Sequence, residues 1–365
     1  MTELDVAVLV PVFNGARFLA ETLQSVDDQT YHRLAIVICD DGSTDESRRI
    51  ARDFAGTARH PVRIVEHAGN LGVQRALASC LDAATGVDAV IFFAQDDLLP
   101  PEYVAQVAAT FASSGAVAVQ TCATTIDEDG RPTRGRNAPY AMHVLGRLAT
   151  ALLLGRNGIT GTGTMVRRSE LTAERVLGAE PLCHDWEMWI RLSLAGPFVT
   201  CLSTRSTYRV RSDSLSRSAS TAEHGRQIDS MRLALGDSGL VSGYLDSLRP
   251  WQRKAAVALA AASARTSQLP GSTRDFVRET YSRRQSPRAA GSSREPSQWP
   301  VARSPWRAGL GSAQADPRAR SARLRMLASN SAWVGRSNVG LVAQLARGWV
   351  ANASIRAGQP AVDGV

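Results

Sequence analysis

Apolar residues in the first 125 positions alternate between short strand-like runs and stripes with helical spacing. Runs rich in Val, Ile and Phe predict four buried strands, at residues 4–13, 34–40, 62–66 and 87–93. The segments between and after them predict helices at about 16–29, 45–55, 71–84 and 101–113. In the first helix Phe18, Leu19, Leu23 and Val26 repeat at helical spacing. This repetition of strand and helix predicts an α/β fold with a doubly wound, mostly parallel, Rossmann-like sheet.

The regular alternation weakens after the strand predicted at 117–122. Residues 127–130 predict a hairpin turn, 143–154 a helix, 161–166 a Gly-rich approach to a strand, 185–194 a helix, and 198–210 a final strand pair. We therefore predict one domain over residues 1–219, with a first half at 1–125 and a second half at 126–219.

Beyond residue 212 the composition shifts to Ser, Ala and Arg. Residues 220–281 predict a helical extension with a helix at about 251–265, and 282–322, rich in Pro, Gly, Ser and Arg, predict a disordered linker. Residues 323–365 regain the apolar spacing of an amphipathic helical tail. Two interpretations of this tail stay open, docking on the folded domain or peripheral contact with a membrane surface.

Composition narrows the class of protein. The chain has 365 residues, 44% of them hydrophobic, which supports a sizeable core, and it contains no apolar run long enough to predict a transmembrane helix. It opens into a strand without a secretory signal pattern, and its five cysteines form no C-x-x-C pair. These features predict a cytoplasmic protein with reduced thiols. Contact with the inner face of the membrane is left open.

Charge is divided unevenly along the chain. The net charge of +8 combines −4 over residues 1–219 with +12 over residues 220–365. The arginines of the basic part are scattered among Ser, Pro and Gly without interleaved aromatic residues. That pattern supports nonspecific electrostatic attraction and predicts no specific nucleic-acid partner.

Two acidic pairs stand where predicted strands end. Asp40 and Asp41 follow one strand, and Asp96 and Asp97 follow another. Ligands of open α/β sheets bind at the carboxyl ends of the strands. Carboxylates there accept hydrogen bonds from a nucleoside or hold a hard cation together with diphosphate oxygens. The alternative is a structural role in helix caps and first turns. For the first pair we expect Ser43–Asp45 to cap the helix and to leave both carboxylates free.

The order of motifs resembles that of family 2 glycosyltransferases, which have the GT-A fold. The resemblance is carried by Val-Pro-Val-Phe-Asn at 10–14, Asp-Asp-Gly-Ser-Thr-Asp at 40–45, Asn-Leu-Gly at 70–72, Gln-Asp-Asp at 95–97 with Pro100, and His-Asp-Trp-Glu at 184–187. Five motifs in order over about 190 residues make a specific signal. The resemblance covers roughly residues 4–215 and does not extend to the tail.

The resemblance implies a nucleotide site and a metal site. Its nucleotide-binding positions here are Pro11, Phe13, Asn14, Asp40, Asp41, Asn70, Arg75 and Asp96. Arg75 is equally consistent with a solvent-facing helix residue. Asp97 is the expected ligand of Mg²⁺ or Mn²⁺. The chain departs from the common pattern at Ala94 and Gln95, where relatives often carry an additional acid.

The resemblance also implies a catalytic base and a sugar pocket. Asp185 is the expected general base, because attack on an anomeric carbon requires removal of the acceptor proton. The pocket for donor sugar or acceptor is expected at Gly161, Thr162, Gly163, His184, Trp186 and Arg211. Trp186 alternatively packs in the core, and Trp189 is expected there because it lies on the apolar stripe of the helix.

These expectations combine into one function and its alternatives. The sequence predicts an inverting, metal-dependent glycosyltransferase that uses a nucleotide-diphosphate sugar and a carbohydrate, lipid-linked or small-molecule acceptor. Polysaccharide, glycolipid and specialised glycoside synthesis are the pathways that the resemblance suggests. The alternatives are a catalytically idle scaffold that binds nucleotide sugar and a sugar-nucleotide pyrophosphorylase. The second requires a Gly-rich phosphate loop, which residues 10–17 lack.

Overall fold

The computed structural model describes residues 3–137, 148–178, 180–213 and 220–265. The chain divides into two compact units, residues 1–283 and 284–365, and every described residue belongs to the first. The predicted linker at 282–322 and the predicted tail at 323–365 lie outside the described residues, as do residues 143–147 of the predicted helix at 143–154.

A mixed, mostly parallel sheet forms the centre of the first unit. Its eight described strands are β1 Val6–Val12, β2 Leu34–Asp40, β3 Val62–Glu66, β4 Ala89–Phe92, β5 Ala118–Ile126, β6 Pro132–Asn137, β7 Met165–Arg167 and β8 Phe198–Arg209. Their order is β3-β2-β1-β4-β7-β5-β6, with β8 paired to β5. Strands β1 to β4 are parallel, β7 runs antiparallel to β4 and β5, and β8 is parallel to β5. The α/β fold class predicted from the sequence is confirmed.

Helices flank the sheet. Those described are α1 Ala16–Asp27, α2 Ser47–Ala55, α3 Val73–Ala83, α4 Tyr103–Ser114, α5 Ala149–Gly155, α6 Ala173–Val176, α7 His184–Ala195, α8 Thr221–Asp237, α9 Leu240–Asp246 and α10 Pro250–Arg265. The predicted apolar stripe of α1 is buried. Along β1, Ala7 and Leu9 belong to one apolar cluster and Val6 and Val8 to another, because successive side chains of a strand point to opposite faces.

The segment after residue 219 continues the same core. Ile228, Met231 and Leu235 of α8 are buried in the cluster that contains Trp189 of α7. Residues 220–265 therefore pack on the sheet domain, because their apolar stripe requires a partner surface. The predicted boundary at residue 219 marks a change in composition, but residues on both sides of it pack in one apolar cluster. None of the described helices is long and apolar enough to cross a membrane.

Candidate active site

The carboxyl ends of β1, β2 and β4 lie side by side and bring the first three motifs together. In the parallel pairing of β1 with β2, Val12 stands opposite Asp40. On its other side β1 pairs with β4, and Phe93 donates its N–H to the carbonyl of Leu9. The turn after β1, the acidic pair after β2 and the acidic pair after β4 therefore share one edge of the sheet, as the sequence predicts.

Asn14 fixes the turn after β1. Its backbone has a φ of 47°, in the left-handed region that asparagine tolerates. Its N–H donates to Ser43 Oγ at 3.0 Å, and its side-chain oxygen accepts from the N–H of Thr44 at 2.9 Å. Phe13 beside it is 40% exposed, and Pro11 is half-buried. This edge therefore presents an open aromatic ring above a rigid backbone.

Asp40 is buried and already partnered. One carboxylate oxygen, Oδ1, accepts from the N–H of Ser43 at 3.1 Å and from Arg48 Nη2 at 2.9 Å. The other, Oδ2, is buried without a hydrogen-bond partner among the described residues. The expectation that Asp40 stays free is therefore wrong for one oxygen. This oxygen is an acceptor without a donor, although the side chain of Asp40 is 0% exposed.

Asp41 joins β2 to the loop that carries Asn70. Its carboxylate accepts from the N–H groups of Leu71 at 2.9 Å and Gly72 at 2.8 Å, and it lies 2.7 Å from His67 Nδ1. The expectation of a free carboxylate is wrong here, because both of its oxygens accept hydrogen bonds from the backbone of residues 71–72. Asp41 thus shapes the pocket rather than facing it.

The predicted cap of α2 is also altered. The helix begins at Ser47, whose N–H donates to the carboxylate of Asp45. Ser43 instead accepts from the turn after β1. Asn70 accepts from the N–H of Gly72, and Arg75 lies exposed on α3, in agreement with a solvent-facing role.

Gln95 connects the β4 end to the turn after β1. Its amide oxygen accepts from the N–H of Phe13 at 2.9 Å, and its amide nitrogen donates to the Phe13 carbonyl at 3.1 Å. A glutamine completes this pair of bonds and an acid cannot, because a carboxylate has no donor. The departure from the acidic pattern at this position therefore has a structural reason.

Asp96 and Asp97 have different surroundings. Asp97 is 0% exposed, and its Oδ1 accepts from the N–H of Arg209 at 2.8 Å. Burial, followed by the charge of Asp96, raises the pKa of Asp97 to about 7. The side chain of Asp96 is 17% exposed and pairs with Arg211 Nη1 at 3.1 Å. Burial also raises the pKa of Asp96, although Arg211 acts in the opposite direction.

The predicted metal site does not fit these surroundings. Mg²⁺ and Mn²⁺ bind carboxylate oxygens that a hydrated ion can reach. Asp97 is closed to solvent and Asp96 is already neutralised by a guanidinium. Oδ1 of Asp97 secures the backbone of β8, whereas its Oδ2 is buried without a hydrogen-bond partner among the described residues. The assignment of Asp97 as the metal ligand stays a prediction.

Asp185 begins the second part of the site, in the first turn of α7. Its Oδ2 accepts from Asn157 Nδ2 at 3.1 Å, and its Oδ1 accepts from the N–H of Trp186 at 2.7 Å. Asn157 is itself oriented, because its side-chain oxygen accepts from the N–H of Ile159 at 3.2 Å. The amide of Asn157 and the N–H of Trp186 together fix the position of this carboxylate.

The segment Gly161–Gly163 runs between the two carboxylate regions. A Cβ added to Gly161 would stand 3.7 Å from Asp185 Oδ2. At the other end, the N–H of Ala94 approaches Thr162 Oγ1 at 3.5 Å, and the N–H of Gly163 donates to the carbonyl of Phe92 at 2.7 Å. The predicted pocket segment therefore connects the β4 end to Asp185.

Trp186 lies outside this pocket. It is 6% exposed, its indole N–H donates to the carbonyl of Leu153, and Arg232 lies over its ring at 5.7 Å. The pocket expectation for Trp186 is wrong, because its helical position faces the core. Trp189 is 1% exposed, which confirms its core role, and His184 is anchored at 2.8 Å to the carbonyl of Pro181.

Sequence reasoning missed three residues that hold the site. Arg48 bonds Asp40, Asn157 bonds Asp185, and Arg209 holds both Asp96 and Asp97. Arg209 lies in the Tyr-Arg-Val-Arg segment at 208–211, of which only Arg211 received a role from the sequence. Arg48 lies eight residues after Asp40, at the start of the next helix, whereas Asn157 is 28 residues from Asp185 and reaches it only through packing.

Comparisons with known proteins agree with this architecture. The sequence model of a family described as glycosyl transferase family 2 matches residues 7–173. An uncharacterized glycosyltransferase of Nostoc, alr2836, is 28% identical over 188 residues, which cover 51% of this chain and 56% of that protein. Chondroitin synthase of Escherichia coli is 28% identical over 200 residues, 53% of this chain and 27% of that protein. The match thus spans little more than half of the first relative and about a quarter of the second.

A solved structure shows the same fold. The S. aureus protein TarS, residues 1–349 in complex with UDP-GlcNAc, superposes with a TM-score of 0.51 and 16% sequence identity, covering 76% of this chain and 92% of that one. At this identity the likeness concerns the fold alone.

Proposed function

We propose that this protein, whose residues 7–173 match the sequence model of glycosyl transferase family 2, transfers a sugar from a nucleotide-diphosphate donor to an acceptor hydroxyl, with inversion at the anomeric carbon. The observation that carries the proposal is the position of Asp185. Its carboxylate is held by Asn157 and lies against Gly161, on the segment that leads to the β4 end. A fixed carboxylate beside a nucleotide edge suits a general base.

The donor binds at the edge formed by the ends of β1, β2 and β4. Phe13 offers its exposed ring to the base of the nucleotide, and the unpartnered oxygen of Asp40 accepts an N–H. Asp96, at the partly exposed end of β4, faces the ribose and diphosphate. Asp41 and Asn70 contribute by fixing the loop that closes this side.

The chemical step is a single displacement. The acceptor oxygen attacks the anomeric carbon, and its bond to that carbon forms while the bond from the carbon to the diphosphate oxygen breaks. Asp185 takes the acceptor proton, and the nucleoside diphosphate leaves with the bonding electron pair. Inversion follows from a single attack on the face opposite the leaving group. Mg²⁺ or Mn²⁺, the cofactor predicted from the sequence, has no place in these steps because the carboxylates present do not fit it.

Location and acceptor class belong to the same proposal. All five cysteines lie among the described residues and are unpaired, which suits a reducing, cytoplasmic compartment. Carbohydrate, lipid-linked and small-molecule hydroxyls are the acceptor classes to examine. Peripheral membrane contact through the basic tail stays a prediction, since residues 323–365 lie outside the described part.

Transfer assays on the full chain test this function. A panel of nucleotide sugars, beginning with UDP-GlcNAc, is incubated with mixed acceptors, and release of nucleoside diphosphate is measured with and without Mn²⁺. Asp185→Asn keeps the size of the side chain and one acceptor oxygen but removes the base, so we expect kcat to fall roughly 100- to 10,000-fold while donor binding persists. Asp82→Asn, an exposed position on α3, is the matched control and should retain activity.

Two results would contradict the proposal. Full activity of the Asp185→Asn protein would exclude the base assignment. Donor binding without turnover on any acceptor or with water would favour the alternative of an idle nucleotide-sugar-binding scaffold. Formation of a nucleotide sugar from a nucleoside triphosphate and a sugar phosphate would instead identify a pyrophosphorylase.

A further inference from the structure

Arg211, just after β8, has a guanidinium group with two acidic partners of unequal exposure. Its Nη1 donates to Asp96 Oδ2 at 3.1 Å. Its Nε and Nη2 donate together to the two carboxylate oxygens of Asp213, at 2.9 and 2.8 Å. The side chain of Asp96 is 17% exposed, whereas that of Asp213 is 69% exposed. One partner thus belongs to the sheet edge and the other to the solvent side.

The two hydrogen bonds to Asp213 have the geometry of a phosphate contact. A guanidinium group binds a carboxylate or a phosphate through the same pair of parallel N–H bonds. Asp213 is 69% exposed, so solvent and salt screen this ion pair on one side, and a diphosphate, which carries more negative charge, can compete for the same donors. Asp213 therefore occupies the face of Arg211 that a nucleotide diphosphate would take.

Neighbouring groups hold Arg211 in place for such a contact. Its guanidinium lies 5.6 Å from the centre of the Phe18 ring, and Arg209 lies over the same ring at 4.5 Å. Arg209 is immobilised by the carbonyl of Asp96 and by Glu21, and its side chain is 2% exposed. Of these two guanidinium groups, that of Arg211 is the more accessible, since its side chain is 15% exposed and that of Arg209 is 2% exposed.

The same position explains why the carboxylates do not suit a divalent cation. A cation on Asp96 would stand beside the guanidinium that already neutralises it, and like charges repel. Asp97, the next residue, is closed to solvent. The positive charge that a diphosphate leaving group requires is therefore built into the chain at this edge.

We propose that Arg211 replaces the divalent cation of the donor site, binding the donor diphosphate directly, and that Asp213 is the carboxylate which the diphosphate displaces. The proposal rests on the proposed function, because it assigns the cation for the same leaving group. The transfer step keeps its balance, since Arg211 donates hydrogen bonds to the departing oxygens and exchanges no proton or electron.

Calorimetric titration of the full chain with UDP and with GDP tests the proposal, in EDTA and in Mn²⁺. For whichever of the two nucleotides binds, we expect the same affinity in EDTA and in Mn²⁺. Arg211→Gln removes the charge-assisted hydrogen bonds and should weaken binding about 10- to 100-fold. Arg211→Lys keeps the charge without the paired donors, so its nucleotide affinity should lie between that of the parent and that of Arg211→Gln.

Asp213→Asn gives the opposite sign and separates this role from a structural one. Removal of the competing carboxylate should strengthen nucleotide binding about two- to fivefold. Thermal unfolding of each variant shows whether a loss of affinity reflects loss of fold, and the gain expected for Asp213→Asn cannot arise from misfolding.

Several outcomes would overturn the proposal. Nucleotide binding that requires Mn²⁺ would show that a divalent cation is needed and that Arg211 does not replace it. An unchanged or weaker nucleotide affinity of the Asp213→Asn protein would show that the diphosphate does not displace Asp213. If nucleotide binds only with Mn²⁺ and transfer proceeds, the proposed function survives while this inference fails. If neither nucleotide nor any nucleotide sugar binds in either buffer, both fail.

Discussion

Replacing Asp97 with asparagine is expected to change how the stability of the protein depends on pH. The Asp97 carboxyl is 0% exposed, and its Oδ1 accepts from the N–H of Arg209. Burial and the charge of Asp96 raise its pKa from 3.8 to about 7. Asparagine has nearly the same shape as the protonated acid and keeps the acceptor for Arg209, but it cannot ionise.

The sign follows from where the proton is bound. The pKa is higher in the folded state, so between pH 3.8 and about 7 the folded protein binds a proton that the unfolded chain has released. The contribution of Asp97 to stability is fully present below pH 3.8 and is lost as the pH rises through about 7. A shift of about three units at about 1.4 kcal/mol each amounts to roughly 4 kcal/mol.

Chemical unfolding at intervals of one pH unit from 4 to 8 measures this effect. The Asp97→Asn protein should resemble the parent at pH 4 and exceed its free energy of unfolding by a growing margin, approaching roughly 4 kcal/mol near pH 8. Asp82→Asn, exposed on α3, is the control and should track the parent at every pH. A difference between Asp97→Asn and the parent that stays constant across this range would refute the reasoning.

Two further substitutions test the packing that positions the site, with the free energy of unfolding as the measurement. Gly42→Ala should cost about 1–3 kcal/mol more than Gly86→Ala, because both glycines have a φ of 72° but only a Cβ at Gly42 would stand 2.4 Å from the backbone of Gly69; equal costs would exclude the close approach. Trp189→Ala should cost about 3–5 kcal/mol, since the indole is 1% exposed and meets two phenylalanine rings edge-on; a loss below 1 kcal/mol would contradict its core role.

Much of the first half of the fold was readable from the sequence because its signals are local. The strand at 34–40 and the strand at 62–66 match β2 and β3 at both ends. Helix ends were less accurate, as with α2, which begins at Ser47 because Asp45 bonds its N–H rather than belonging to the helix. The helix α8 was foreseen only as part of a helical extension, since its Ser and Arg content hides the buried stripe of Ile228 and Met231.

The candidate site divides in the same way. The sequence identified Asp40, Asp96 and Asp185 as candidate site carboxylates. Each of them follows a strand or begins a helix that the hydrophobic periodicity predicts. The sequence did not reveal that Asp41 is consumed by the backbone of residues 71–72, or that Asp97 faces inward. Adjacent acids look equivalent in a sequence, but a strand end sends neighbouring side chains to different sides.

The sequence by itself determined the class of the fold, the order of the motifs and the chemical types available at the sheet edge. Hydrophobic periodicity and motif spacing are properties of neighbouring residues, so they survive without coordinates. Only the tertiary structure decided which acidic side chains are exposed to solvent, which are buried, and which guanidinium group pairs with them. Arg211 reaches Asp96 across 115 positions of the chain, and a contact of that range arises when strands pack, which no local pattern encodes.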